Sequence, residues 1–151
     1  MSRLTSEINP EAGITIYTYE TDPGCGASAG DMVKRTDAVG NQVCYTYDAL
    51  HRLTTVLSYG PYAASTPSRF YKYDAATVDS VVMTNTKARL AEAYTSSSPT
   101  GTPKLTDTGF SYSPRGEITG EYQSTPNSGG YYIAFMAYLG QWRSLTTCQQ
   151  H

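Results

Sequence analysis

The amino-acid sequence predicts an all-β fold, and three observations lead to this class. Tyrosine is unusually frequent, with 14 Tyr against 3 Phe and 1 Trp, and it suits strands because its ring packs on a pleated face while its hydroxyl reaches water. The 13 Gly and 8 Pro interrupt the chain at short intervals, as turns do. Between them lie short runs whose apolar residues alternate with a period of two. This pattern is typical of many short strands joined by turns.

The first half of the chain predicts strands joined by tight turns. Residues 14–19 alternate as a half-buried strand, and the Pro- and Gly-containing residues 22–26 form a loop after it. Residues 37–41 contain Gly and Asn and reverse the chain, and residues 48–51 form a second polar turn. The other strands of this half are residues 32–36, 42–47 and 52–58.

The second half of the chain is less regular. Residues 69–73 and 78–84 predict strands. Residues 88–94 are ambiguous, because their composition favours a helix whereas their position after a turn favours a strand. Residues 96–103 are a loop rich in Ser, Thr and Pro, and residues 109–119 predict a hairpin with Pro-Arg-Gly in its turn.

Three segments follow from this pattern: a leader at residues 1–13, a repetitive region at residues 14–132, and an apolar tail at residues 133–151. The tail departs from the preceding pattern and holds the single Trp of the chain. Two interpretations of it stay open. It is either a final strand or an end that is not native coding, for example after a frame shift.

Aromatic-x-Tyr pairs recur along the repetitive region, starting at Tyr17, Tyr45, Tyr71 and Phe110. The first two separations are nearly equal, and the third is longer because it includes the loop at residues 96–103. Self-similarity of this kind indicates a chain built by stacking one hairpin unit, and not a compact domain around one active site.

The best-preserved copy lies at residues 45–56, Tyr-Thr-Tyr-Asp-Ala-Leu-His-Arg-Leu-Thr-Thr-Val. It resembles the RHS repeat, also called the YD repeat, whose core reads Tyr-x-Tyr-Asp-x-x-Gly-Arg-Leu. Residues 37–41 resemble the Asp-x-x-Gly-Asn turn that introduces such a unit, residues 71–74 repeat the head of the motif, and residues 110–118 keep its spacing and turn glycine. His51 replaces the usual glycine, at a free-energy cost where φ is positive. The repeat-motif residues are Tyr45, Tyr47, Asp48, Arg52, Leu53, Tyr71, Tyr73, Asp74, Tyr112 and Gly116.

The resemblance implies an open, strip-like antiparallel sheet of consecutive hairpins with a structural, non-catalytic role. In RHS-repeat proteins the strip closes as a hollow shell, which encloses an effector in bacterial toxins. The expected partners are neighbouring repeats, a second copy joined through unpaired sheet edges, and an encapsulated toxin in a longer parent protein. The parent would be secreted or lie at the cell surface. Residues 1–10 lack the basic start and apolar core of a signal peptide, so we expect that signal elsewhere.

Composition argues against several other classes of function. The chain has 11 basic and 13 acidic residues, without the basic footprint of a nucleic-acid-binding protein. No run approaches the roughly 20 apolar residues of a membrane helix. His51 and His151 are the two histidines, and no Cys-x-x-Cys occurs, so we expect neither a metal site nor a cofactor.

The three cysteines leave two interpretations open. Cys25 and Cys44 would pair as a disulfide if the chain is exported. The favoured interpretation is two buried or half-buried free thiols, since nothing in the sequence of this chain fixes its compartment.

A second functional hypothesis is a small serine hydrolase. Residues 26–30 match Gly-x-Ser-x-Gly, in which Ser28 would be the nucleophile, His51 the base and Asp31 the residue that orients it, with Asp74 as another choice for that last role. The context argues against it, because the motif does not join a buried strand to a helix. Less favoured still are a Cys25 nucleophile with His51, and a pair of acids for glycoside chemistry among Glu92, Asp107, Glu117 and Glu121.

Overall fold

The computed structural model describes residues 2–139 and 143–150, with side chains as far as Tyr138. It confirms the all-β class: thirteen strands and one 3₁₀ turn (Ala63–Ser65) make up its regular structure, and the described residues contain no α-helix. The strands, in chain order, are β1 (Ser6–Asn9), β2 (Gly13–Asp22), β3 (Gly26–Thr36), β4 (Gln42–Tyr47), β5 (Leu53–Tyr59), β6 (Ser68–Tyr73), β7 (Thr77–Val78), β8 (Val81–Val82), β9 (Leu90–Ser96), β10 (Lys104–Tyr112), β11 (Ile118–Ser124), β12 (Tyr132–Leu139) and β13 (Arg143–Gln150).

The chain divides into two compact units, of which the first comprises residues 1–70 and 97–102. Its strands β1 to β5, and residues 68–70 of β6, are antiparallel and neighbours in chain order, as expected for consecutive hairpins. Buried side chains of β3, β4 and β5 form its interior, with Val33 1% exposed, Cys44 4% and Val56 7%. The predicted leader therefore contributes a strand, because β1 pairs with β2 from Ser6 opposite Ile16 to Asn9 opposite Gly13.

The second unit comprises residues 71–96 and 103–151. Strands β9 to β13 are again antiparallel neighbours in chain order, and β7 and β8 form a separate two-stranded ribbon. The ambiguous segment at residues 88–94 is resolved as a strand from Leu90 onward. The buried core of this unit consists of Ala76, Val78, Met83, Ala91, Tyr122 and Ile133.

The apolar tail forms β12 and β13, which pair from Tyr132 opposite Gln150 to Leu139 opposite Arg143. Residues 140–142 and 151 of the predicted tail lie outside the described residues. The three segment boundaries stay predictions. Both interpretations of the tail, as a native end or as an end that is not native coding, stay open as well.

The cysteine prediction needs a correction. Cys25 and Cys44 form a disulfide that joins the loop before β3 to β4, so the favoured interpretation of two free thiols is wrong. The sequence could not decide this, since pairing requires two Cα atoms close enough to be bridged, and these lie 5.1 Å apart.

Within the described residues there is no helix long and apolar enough to cross a membrane.

Candidate functional site

The turn at residues 48–52 is organised by the carboxylate and backbone of Asp48. Its backbone N–H donates to the carbonyl of Arg52 at 3.0 Å, and its carbonyl accepts the N–H of His51 at 3.0 Å. Its Oδ1 accepts the N–H groups of Leu50 and Arg52, at 2.9 and 3.0 Å. Its Oδ2 accepts the Arg52 Nε–H at 2.6 Å. The motif aspartate thus accepts backbone hydrogen bonds from its own turn.

The titration of Asp48 agrees with this arrangement. Partial burial acts to raise the pKa of the carboxyl, but hydrogen bonds from the Arg52 backbone and guanidinium and from the Leu50 N–H outweigh it, so the pKa is lowered. The carboxylate therefore stays charged in the turn, where Oδ1 holds two backbone N–H groups and Oδ2 holds the Arg52 side chain.

The second tyrosine of the motif joins this hairpin to the preceding strand. The Tyr47 hydroxyl donates to the carbonyl of Met32 on β3 at 2.8 Å. Burial raises the pKa of Tyr47, and the negative charge of Asp31 raises it further by a smaller amount. Tyr45 lies opposite Val56 and Tyr47 opposite Leu53, so the motif residues of β4 pair with β5.

The turn at residues 37–41 repeats this geometry. Asp37 donates its N–H to the carbonyl of Asn41 at 3.0 Å and accepts the Gly40 N–H at 3.1 Å. Its carboxylate accepts the backbone N–H groups of Val39 and Asn41 and the side-chain amide of Asn41. The hydrogen bond from the Asn41 amide lowers the pKa of Asp37. Gly40 has φ of 88°, so it occupies the left-handed position that His51 takes at 59°.

A further copy of the turn lies at residues 113–117, where Ser113 replaces the aspartate. Its N–H donates to the carbonyl of Glu117 at 2.8 Å, and its carbonyl accepts the Gly116 N–H at 2.9 Å. Its hydroxyl oxygen accepts the N–H groups of Arg115 and Glu117. Gly116 has φ of 96°. The Tyr112 hydroxyl donates to the carbonyl of Leu90 at 2.8 Å, as Tyr47 does to Met32.

The copy of the motif that begins at Tyr71 is interrupted by an inserted segment, and its last residues follow that segment. Asp74 donates its N–H to the carbonyl of Arg89 at 3.1 Å, and its Oδ1 accepts the Ala88 N–H at 2.6 Å. Ala88 has φ of 61°, and Leu90 begins β9 as Leu53 begins β5. Residues 88–90 therefore stand where His-Arg-Leu stands in the best copy.

Sequence reasoning missed Ala88, Arg89 and Leu90 as motif residues, although an Arg-Leu pair after a small residue was the available signal. The intervening residues carry the β7–β8 ribbon and supply Ala76, Val78 and Met83 to the core of the second unit. A fixed-spacing motif does not detect a copy whose turn contains such an insertion.

The three residues of the hydrolase hypothesis do come together. The Ser28 Oγ donates to Asp31 Oδ2 at 2.6 Å, and the His51 Nδ1 lies 2.7 Å from the same oxygen. The hydrogen bond from Ser28, and then the one from His51, lower the pKa of Asp31. A bulge in β3 brings Asp31 close to Ser28. Ser28 pairs with Glu20 and Met32 pairs with Tyr19, so residues 29–31 have no partner on β2.

The order of these contacts differs from that of a catalytic triad. Asp31 lies between Ser28 and His51, whereas a triad places the histidine between the serine and the acid. Among the described contacts Ser28 has a hydrogen bond to Asp31 and none to His51. Ser28 also lies inside β3 and not on a strand-to-helix elbow.

A second polar cluster lies on β9 and β10. Glu92 is 0% exposed and Asp107 is 2% exposed, and both contact the Lys104 ammonium group. Lys72 pairs with Glu92 at 2.8 Å, and the Tyr131 hydroxyl donates to Asp107 at 2.7 Å. Burial acts to lower the pKa of Lys104, but the contacts with Asp107 and Glu92 outweigh it and raise the pKa.

The remaining candidates have other partners. Cys25 is bonded to Cys44 and is therefore not available as a nucleophile. Glu117 accepts the Ser113 hydroxyl at 3.0 Å, and Glu121 lies on β11 opposite Phe110 and Ala134. In the part of the chain that the structure describes, no group of three or more His, Cys, Asp and Glu side chains is placed to hold a metal ion.

Part of the chain matches a known family. Residues 28–60 match the family model described as RHS Repeat. The matched segment contains β4, β5 and the turns at 37–41 and 48–52, and it confirms the resemblance that residues 45–56 predicted. No curated protein matches the chain.

Proposed function

Because this chain carries an RHS repeat at residues 28–60, we propose that it is a non-catalytic structural segment. In this proposal its hairpins pack against neighbouring repeats of a longer bacterial protein, or against a second copy of the chain, and in the parent the repeats enclose a toxin. The observation that carries the proposal is the use of the motif side chains. Asp48 Oδ1 and the hydroxyl of Tyr47 hold backbone groups, and Asp48 Oδ2 holds the Arg52 guanidinium, so these motif side chains are engaged in holding the repeat itself.

The outer hairpin of the first unit supports association through an edge. Ile8 lies opposite Ile14 in the β1–β2 hairpin, and Ile16 follows two positions later on the same face. Their exposed fractions are 77%, 49% and 51%. Ile8 lies on the terminal strand β1, and exposed apolar side chains on and beside such a strand favour association with another strand.

The Cys25–Cys44 disulfide supports a secreted or cell-surface location, because disulfides persist in oxidising compartments.

Light scattering over a concentration series tests association. We expect the wild-type protein to form oligomers as concentration rises, and Ile8→Lys to shift that onset to higher concentration. Val39→Lys is the matched control, since Val39 is 64% exposed but lies in the turn at 37–41. A wild-type protein that stays monomeric at every concentration would contradict association through the β1 edge.

The second candidate function is ester hydrolysis through Ser28, favoured by the convergence of Ser28 and His51 on Asp31. Purified protein would be assayed on p-nitrophenyl esters beside Ser28→Ala and His51→Ala. Turnover that both variants lose would overturn the non-catalytic proposal. Absence of turnover above the buffer blank would overturn the hydrolase. Ser65→Ala, which removes an exposed hydroxyl in the 3₁₀ turn, is the control.

A further inference from the structure

We propose that Lys104 and Asp107 become joined by an amide bond, with Glu92 as the group that carries the proton. The three side chains form one cluster in the second unit, on strands β9 and β10. The inference is independent of the proposed structural function, because it concerns a covalent cross-link that the repeat motif does not require.

The burial of the two acids is the first reason. Glu92 and Asp107 are among the largest fully buried side chains of the described residues, while the Lys104 side chain is 31% exposed. Ionised carboxylates are rarely fully buried, and taking them out of water is costly even when they are paired. Replacing the buried Lys–Asp ion pair by a neutral amide removes two charges from this site, which favours the product.

The neighbouring strands explain why Glu92 is so deeply buried. Glu92 lies opposite Gly109 on β10, and Gly109 lies opposite Tyr122 on β11, so the three positions share a face of the sheet. Val78 of the inserted ribbon lies over Gly109, since a Cβ there would meet the Val78 Cγ2 at 2.7 Å. The ribbon therefore covers the face on which Glu92 lies.

A bulge brings the lysine to the same face as the aspartate. Residues three apart in a regular strand point to opposite faces. In β10, Lys104 pairs with Ser96 and Thr106 with Thr95, so Leu105 is an extra residue and the alternation is inverted after it. Lys104 and Asp107 consequently lie side by side, with the Lys104 Nζ 2.7 Å from Asp107 Oδ2.

The two oxygens of Asp107 have different surroundings. Oδ2 accepts the Tyr131 hydroxyl at 2.7 Å as well as the Lys104 ammonium. Oδ1 is buried and has no hydrogen-bond partner among the described residues. Oδ2 is thus held by a donor, as the carbonyl oxygen of the product would be, and Oδ1 is the oxygen that is free to accept a proton and leave.

The reaction balances without any further reactant. The Lys104 ammonium passes one proton to Glu92, and the neutral amine attacks the Asp107 carboxyl carbon. The Nζ–Cγ bond forms and the Cγ–Oδ1 bond breaks, with its electron pair on Oδ1. Oδ1 leaves as water after it receives one proton from Nζ and one from Glu92. An ammonium and a carboxylate become an amide and water, and Glu92 returns to its carboxylate form. The contact geometry supplies the orientation that such a reaction needs, and it has to occur once in each molecule.

The mass of the intact protein tests the proposal. We expect the denatured and reduced wild-type chain to be lighter than its sequence mass by one water molecule. Tandem mass spectrometry should locate the loss between Lys104 and Asp107, and trypsin should fail to cut after Lys104. A wild-type chain of full sequence mass would overturn the proposal, and this measurement does not depend on whether any variant folds.

Variants assign the bond to its residues. Lys104→Arg and Asp107→Ala should have full mass, and Glu92→Gln should lower the cross-linked fraction at least tenfold at a fixed time after synthesis. Lys72→Arg is the matched control and should keep the water loss, since Lys72 pairs with Glu92 but has no described contact with Asp107. Water loss that persists in Lys104→Arg would place the dehydration elsewhere and contradict the proposal.

Discussion

His51 occupies a left-handed backbone position, with φ of 59°, in the turn of the best-preserved repeat. The sequence predicted this conformation, because His51 stands where the family motif has glycine. The hydrolase hypothesis placed His51 beside Asp31 but did not predict that this contact would offset the strain: the imidazole of His51 contacts Asp31, whose carboxylate also accepts the Ser28 hydroxyl. At His51 the backbone strain of the turn therefore lowers the stability of the protein, whereas the contact with β3 raises it.

Two variants separate these effects. His51→Ala loses the contact and keeps the strain, whereas His51→Gly loses the contact and relieves the strain. We expect the Gly variant to be more stable than the Ala variant by about 1 kcal/mol, the usual cost of a left-handed conformation for a residue with a Cβ. Urea denaturation of both variants measures the difference. Equal stabilities would show that the turn tolerates a side chain at this position without strain.

The elements of the second unit are built on an interrupted repeat. The start of the motif at residues 71–74 could be recognised in the sequence. Residues 88–90, which complete the motif, could not, because the inserted ribbon separates them from residues 71–74. Ribbon and sheet are joined through Gly109, whose missing side chain leaves room for Val78. Neither strand propensity nor hydrophobic periodicity indicates that a glycine is required at position 109. The requirement arises because two segments distant in sequence approach each other closely there.

Substitution at this contact tests the packing of the ribbon. Gly109→Ala places a methyl group against Val78 and should destabilise the protein by about 1–3 kcal/mol. Val78→Ala should cost about 2–3 kcal/mol, because it empties a buried position. If the two residues are in contact, the double variant should be destabilised by less than the sum. Additive free energies of unfolding in this double-mutant cycle would contradict the contact. Gly120→Ala on β11 is the matched control, because the added Cβ there would meet no atom closer than 3.5 Å.

At the scale of the molecule, the disulfide is the covalent constraint that the structure adds to the first unit. Cys25 and Cys44 are separated by 19 residues, and they join the loop that precedes β3 to β4. The sequence offered the pair but favoured free thiols, because pairing depends on where β3 and the loop before it place the two residues.

Removing the disulfide should destabilise the protein by about 3 kcal/mol, the value expected when a loop of this length is no longer closed in the unfolded chain. Denaturation of Cys25→Ser/Cys44→Ser beside the wild type measures the loss. The wild type in the presence of a reductant should approach the variant. A variant as stable as the wild type would show that the bond adds nothing beyond the packing of the strands.

The all-β class, the consecutive hairpins and the turn at residues 48–52 could be predicted from the sequence, because they follow from local alternation and from turn residues whose side chains bond to their own backbone. Other features became known from the three-dimensional arrangement of the strands: the disulfide, the strand in the leader, the convergence of Ser28 and His51 on Asp31, the completion of the second repeat by residues 88–90, and the burial of Glu92 beside Lys104 and Asp107. Each of these depends on contacts between segments far apart in the chain. Such contacts are set by strand register, bulges and insertions, which a short sequence window does not contain.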